Sequence, residues 1–134
     1  MKKLLKIKHL TRLFLLLAFM LPLITGCSKG ENTPRIQVSE EVQKLFDSGL
    51  FFSPEQSSYK IQFLSTQNWT VSLSGSSAGT DWITVTPMYG KEGIRVIEIN
   101  AAKNTTPNER SAIVIITCVN VTKSLRVRQE GLLE

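Results

Sequence analysis

From residue 35 onward the sequence runs in short stretches that alternate apolar and polar side chains, and this period of two limits the fold more than any other feature. Such a period places every apolar side chain of a run on one face of an extended strand, whereas a helix needs a spacing near 3.6. Tyr59, Ile61 and Phe63 alternate with Lys60 and Gln62, and Trp69, Val71 and Leu73 alternate with Thr70 and Ser72. Ile36 and Val38 open the series, and Trp82-Ile83-Thr84-Val85-Thr86 adds a short β-branched run. Leu125 and Val127, alternating with Arg126 and Arg128, close it. Ala112 to Val119 is apolar on both faces, as a strand in the middle of a sheet would be. Ile94 to Ala101 shifts its alternation between Val96 and Ile97, which predicts a β-bulge there. Between the runs lie Ser74-Gly75-Ser76-Ser77-Ala78-Gly79, Pro87-Met88-Tyr89-Gly90 and Asn104-Thr105-Thr106-Pro107-Asn108, all rich in turn-forming residues. About seven strands at this spacing predict an all-β chain folded as a β-sandwich.

One stretch departs from the pattern. Ser39 is placed to N-cap a short helix whose first turn holds Glu40 and Glu41 at the positive end of the helix dipole. Val42, Leu45 and Phe46 fall on one face, and Gly49 can close the helix. The spacing predicts one or two helical turns over Glu40 to Asp47.

Ahead of the strands, Lys2, Lys3, Lys6, Lys8 and Arg12 precede an apolar run from Leu13 to Ile24, broken only by Pro22. Basic, then apolar, then small residues is the order of a secretory signal. The run is also shorter than the roughly 20 residues that a membrane-spanning helix needs. It ends in Leu23-Ile24-Thr25-Gly26-Cys27, which resembles a bacterial lipobox. The resemblance implies a signal peptide over residues 1–26, a diacylglycerol on the Cys27 sulfur and a fatty acyl chain such as palmitate on its amino group. Two or more acyl chains, at about 0.8 kcal/mol per buried methylene, hold a protein stably on a membrane. Residues 27–34, polar and containing Gly30 and Pro34, read as a lipidated tether, and residues 35–134 as one domain. The expected location is the outer membrane, reached through the lipid anchor. Ser28-Lys29-Gly30-Glu31 carries a single acid after the cysteine, which favours the periplasmic side and leaves the choice between that and the cell surface undecided.

The signal also carries the excess charge. The chain has 16 basic and 11 acidic side chains, and five of the basic ones precede residue 27. The remainder of the chain is balanced at 11 against 11, so no basic face for nucleic acid is expected. His9 leaves with the signal, and with it any histidine for a catalytic triad or a zinc site. Neither a catalytic residue, a metal nor a cofactor is expected. Cys118 loses its only possible disulfide partner to lipidation and lies in an apolar run, so it reads as a small buried hydrophobe. Glu40 and Glu41 are sequence neighbours that point apart and cannot flank one glycosidic bond.

Several segments then fall into a familiar order. Asn68-Trp69-Thr70-Val71-Ser72 is followed by Asp81-Trp82-Ile83-Thr84-Val85-Thr86-Pro87 with Gly90, then by Asn104 and Arg110, then by Arg128-Gln129-Glu130-Gly131. From about Ile36 to Gly131 the chain resembles the BACON domain, the Bacteroidetes-associated carbohydrate-binding often N-terminal module. The resemblance implies an immunoglobulin-like sandwich in an exported protein. Against it, the helix at Glu40 to Asp47 would be an insertion between the first two strands. Such domains often precede an enzyme, whereas this sequence stops just after Gly131, so no catalytic module is expected for it to serve.

The motif residues also have roles that need no ligand. Trp69, in phase with Val71 and Leu73, points to the core, and Trp82 caps an edge of the sandwich with its indole N–H at the rim. Pro87 ends a strand, while Gly90 and Asn104 supply backbone conformations at turns. Arg110 lays its stem over the sheet and turns its head to loop carbonyls. A sugar site asks for an exposed aromatic face flanked by amide, carboxylate or guanidinium groups. The candidates are Tyr89 in the turn before Gly90, Trp82 if its face is open, and Asp81, Asn104 and Arg110 as polar partners for a polysaccharide or smaller glycan. The competing reading is a structural spacer, or a lipoprotein that binds other envelope proteins. Ile113 and Ile115 support it, because they face outward when Ala112, Val114 and Ile116 face the core. Lys123, Arg126 and Arg128 add a modest basic stripe that suits an acidic glycan, with Glu98 and Glu130 expected to offset it.

Overall fold

The computed structural model describes residues 32–75 and 78–133. The expected signal peptide, the lipidated Cys27 and tether residues 28–31 lie outside the described residues. The described chain belongs to one compact unit, Asn32–Glu134.

The elements in order are β1 (Ile36–Gln37), α1 (Glu40–Ser48), β2 (Leu50–Phe52), β3 (Ser57–Ser65), β4 (Trp69–Gly75), β5 (Ile83–Thr86), β6 (Tyr89–Gly90), β7 (Gly93–Ala101), β8 (Arg110–Cys118) and β9 (Val121–Gln129). They form a four-stranded sheet, β1-β3-β7-β5, and a five-stranded sheet, β2-β9-β8-β4-β6. Pairing is antiparallel except between β2 and β9. Without β2 and β6, the orders β1-β3-β7-β5 and β4-β8-β9 are the A-B-E-D and C-F-G sheets of an immunoglobulin-type sandwich. The predicted all-β sandwich and its seven principal strands are thus present. Two short strands, β2 and β6, are added at sheet edges.

Alternation decides which side chains enter the core. Ile61 and Phe63 of β3, Ile97 and Ile99 of β7, Val114 and Ile116 of β8, and Leu125 and Val127 of β9 are buried between the sheets. Trp69 is 2% exposed, meets Phe63 edge-to-face at 5.0 Å between centroids, and donates its indole N–H to the Lys91 carbonyl at 3.1 Å. Cys118 is likewise a buried free thiol.

Three sequence expectations change. The predicted bulge is absent: β7 pairs with β3 without a slip from Gly93↔Ser65 to Ala101↔Ser57. The alternation breaks because Ile94 and Val96 are apolar residues on the solvent face, 66% and 46% exposed. Tyr89 sits in the two-residue edge strand β6 rather than in a turn. Gly90 is needed for proximity and not for a special backbone angle, since a Cβ there would lie 2.7 Å from Trp69 Cζ2.

The helix forms where expected, one residue longer. The Ser39 hydroxyl accepts from the Val42 N–H, and Gly49, at φ +94°, closes the helix by donating to the Leu45 carbonyl. Val42, Leu45 and Phe46 pack on the core from the side of β9, and Lys123 of β9 donates to the Gln43 side chain at 2.7 Å. At the end where the chain enters, the Asn32 and Thr33 carbonyls accept from the side chains of Gln67 and Thr66 in the β3–β4 turn. At the other end Gly131 lies so close to the Pro107 carbonyl that a side chain would collide with it.

Deleting a buried core aromatic costs about 3–5 kcal/mol. Trp69→Ala is therefore expected to lower the melting temperature by more than ~10 °C in a domain of this size. A thermal melt in which the variant stays within a few degrees of the parent would show that Trp69 does not anchor the core.

Candidate functional site

Three of the residues named from the sequence meet at the end of the sandwich where β8 begins and β9 ends. Trp82, just before β5, is 6% exposed and donates its indole N–H to the Gly79 carbonyl at 3.2 Å. Arg110 places its guanidinium over the Trp82 ring, 4.8 Å from the centroid. Its Nη2 donates to the Ala102 carbonyl at 2.7 Å and its Nε to Gln129 Oε1 at 2.9 Å. Burial lowers the Arg110 pKa from its ordinary value, although a guanidinium starts so high that it stays charged. This matches the stem-and-head arrangement expected for Arg110, with the ring of Trp82 as an added partner.

Asn104 is fully buried in the same region. Its Nδ2 donates to the Asn108 and Glu130 carbonyls at 2.8 and 2.9 Å, and its Oδ1 accepts from the Thr106 N–H and hydroxyl. Asn104 thus staples the 104–108 loop to the end of β9 through its side chain. The left-handed conformation expected of it is not used, since Val119 is the non-glycine residue with positive φ among those described. Gln129, also fully buried, donates to the Pro54, Glu55 and Ala102 carbonyls at 3.3, 3.1 and 2.9 Å. Sequence reasoning singled out Gln129 only as part of a motif. Its signal was there, in phase with buried Leu125 and Val127. Asp81, next to Trp82, is exposed.

Tyr89 stands apart from this cluster. It pairs with Thr70, which pairs with Thr117, seven residues along β8 from Arg110. At ~3.3 Å per residue that is roughly 23 Å. Trp82, Asn104 and Arg110 therefore converge on one another, while Tyr89 lies at the other end of the sandwich.

Tyr89 instead belongs to the outer face of the five-stranded sheet. Residues directly opposite on antiparallel strands share a face, so Tyr89, Thr70, Thr117 and Thr122 form one row across it. Ser72, Ile115 and Ser124 form the next, and Ser74, Ile113 and Arg126 the one after. Ser111, Arg128 and Phe51 complete the face. It is rich in hydroxyls, with Tyr89 76% exposed at one edge and Phe51 59% exposed at the opposite corner. The outward direction expected for Ile113 and Ile115 holds, Ile113 being 37% exposed and Ile115 half-buried. Where α1 meets this face there is a groove of about 350 Å³. Phe46, Asp47 and Ser48 form one wall, and Ile113, Ser124, Arg126 and Arg128 form the floor and the other. No local pattern in the sequence signals this groove, because it arises from where the helix docks. Among the described residues, no group of three or more His, Cys, Asp or Glu side chains is placed to hold a metal ion.

The fold defines a class of structure, a two-sheet immunoglobulin-like sandwich. Residues 66–130, just under half of the chain, match the family model of BACON, described as "Putative binding domain, N-terminal". The match begins just before β4 and leaves β1, α1, β2 and all of β3 outside it. No curated protein matches the chain. Among solved structures the chain is similar to a Bacteroides ovatus GH5 xyloglucanase in complex with a XXXG heptasaccharide, at TM-score 0.59 and 24% identity over 73% of this chain. The chain spans 19% of the length of that enzyme. It is also similar to a protein from Bacteroides thetaiotaomicron solved by NMR, at TM-score 0.45 and 15% identity, covering 65% of this chain and 83% of that one. A Clostridium perfringens family 123 glycoside hydrolase matches at TM-score 0.48 and 12% identity, over 76% of this chain and 28% of its own. The first of these supports the sandwich fold.

Removing the Asn104 side chain deletes its hydrogen bonds to the Asn108 and Glu130 carbonyls and to the Thr106 N–H and hydroxyl, at about 0.5–1.5 kcal/mol net for each. Asn104→Ala is expected to cost at least ~2 kcal/mol in denaturant unfolding. A variant as stable as the parent would show that the 104–108 loop is held by other contacts.

Proposed function

We propose that the protein is a non-catalytic, lipid-anchored outer-membrane lipoprotein whose domain binds carbohydrate on the outer face of the five-stranded sheet. The observation that carries the reading is Tyr89, whose ring is 76% exposed beside the row of Thr70, Thr117 and Thr122 hydroxyls. A flat amphipathic ring stacks on the C–H face of a pyranose, while neighbouring hydroxyls exchange hydrogen bonds with its substituents. An open face of this kind suits a segment of polysaccharide better than a small molecule, which needs a concave pocket. Trp82, Asn104 and Arg110 act in this reading as supports of the fold, and Asp81 as a solvated residue. The BACON match supports a binding role. A second reading, contact with another envelope protein, draws on Ile113 and Ile115 in the middle of the same face.

Tyr89→Ala in the full chain, held in detergent, is expected to weaken polysaccharide binding by about 1–3 kcal/mol, by analogy with aromatic–base stacking. Its melting temperature should barely change, because an exposed edge side chain contributes little packing. Calorimetric titration against plant cell-wall polysaccharides, xyloglucan among them, and against mucin glycans provides the measurement. Heat from none of them in the parent protein would leave the protein-contact reading in place.

The anchor has its own test. Cys27→Ser is expected to release the protein from the membrane fraction and to lower its mass by the weight of the lipid. A variant that stays membrane-bound at unchanged mass would refute lipidation at Cys27.

A further inference from the structure

We propose that the groove between α1 and the outer face of the five-stranded sheet receives a sugar carboxylate, so that the glycan recognised is an acidic one of the uronate type. The inference rests on the carbohydrate reading above and specifies its substrate class.

Arg126 and Arg128 are two residues apart on the same face of β9, which sets their stems roughly 7 Å apart. Both line the groove. Among the described residues neither forms a salt bridge, and Arg126 is exposed. The Arg128 guanidinium lies 5.5 Å from the centroid of the Phe51 ring. Stacking on a ring orients the planar head and leaves its in-plane N–H donors free, which is the geometry for bidentate capture of a carboxylate. Two like charges held this close on one strand repel each other, and an anion between them relieves that repulsion.

The rest of the groove narrows the anion to a sugar. Ser48 and Ser124 offer hydroxyls, Ile113 and Phe46 offer apolar surface for a pyranose ring, and the Asp47 carboxylate offers an acceptor for sugar hydroxyls. Asp47 accepts from Gln43 Nε2 at 2.9 Å and makes no ion pair with either arginine. A carboxylate on the wall repels a densely charged polyanion such as a phosphate chain, whereas a uronate carries one charge per ring and several hydroxyls. The residues after Cys27 are also balanced in charge, so the positive field here is local and not that of a general polyanion binder. The groove lies on the same face as Tyr89, two rows away along the strands and on the far side of β8 and β4, so one polymer segment can reach both.

The test compares polygalacturonate with its methyl-esterified form, which has the same backbone without the charge, using the full chain in detergent. The expected result is at least tenfold tighter binding of the acid form, weakening as salt rises. Arg126→Gln with Arg128→Gln should abolish that preference, and Asp47→Asn should strengthen binding of the acid form severalfold by removing the like charge. Melting curves confirm that each variant is folded, and Arg126→Gln alone, at an exposed position, provides the check if the double variant is not. Equal binding of the two polymers, or a preference that survives in the arginine variants, would overturn the inference and leave the carbohydrate reading standing. Dextran sulfate bound as tightly as polygalacturonate would overturn it in favour of an unspecific polyanion. Absence of binding to any polysaccharide would overturn both readings together.

Discussion

The side-chain amide of Gln129 holds the two sheets to each other at one end of the sandwich. The alternation of β9 forces it inward with Leu125 and Val127, and a buried amide without partners would cost about 1–3 kcal/mol for each unmet group. Its partners come from separate parts of the chain: the β2–β3 connection supplies the Pro54 and Glu55 carbonyls, the end of β7 supplies Ala102, and Arg110 supplies a donor. Each of these segments is fixed by meeting the same amide. Arg110 carries the constraint onward to the Trp82 ring, and Asn104 ties the next loop to Glu130. With this end committed to structure, Tyr89 and the groove beside α1 lie on a surface that these contacts leave exposed.

Much of this fold was legible in the sequence because a period of two leaves few alternatives. The principal strands, the inward direction of Trp69 and the helix after Ser39 each came from local pattern and capping chemistry. The failures were also physical. β2 and β6 span three and two residues, too few to show a period, and β2 pairs with a strand distant in sequence. The broken alternation at Val96 and Ile97 has two explanations, an extra residue in the strand or apolar side chains facing solvent, and sequence alone cannot choose between them.

The candidate site was less legible than the fold. Tyr89 was found because an aromatic ring among turn residues has few burial options, even though its turn proved to be an edge strand. Asn104 and Arg110 were grouped with it as polar partners because sequence shows chemistry without distance, and the pairing of β8 with β4 places them far from that ring. The groove beside α1 depends on where the helix docks against β9, a tertiary event with no local signature. A sandwich fold by itself locates no ligand.

The chain enters the domain beside the β3–β4 turn, where Asn32 and Thr33 are fastened, and leaves it beside the 104–108 loop, against which Gly131 is packed. These points lie at opposite ends of the nine-residue strands β3, β7, β8 and β9. Nine residues of strand extend roughly 30 Å. The domain therefore acts as a spacer between the points of entry and exit, with the outer face of the five-stranded sheet running along its length. Whatever is attached at the entry side, the Gln129 end is held about 30 Å away from it.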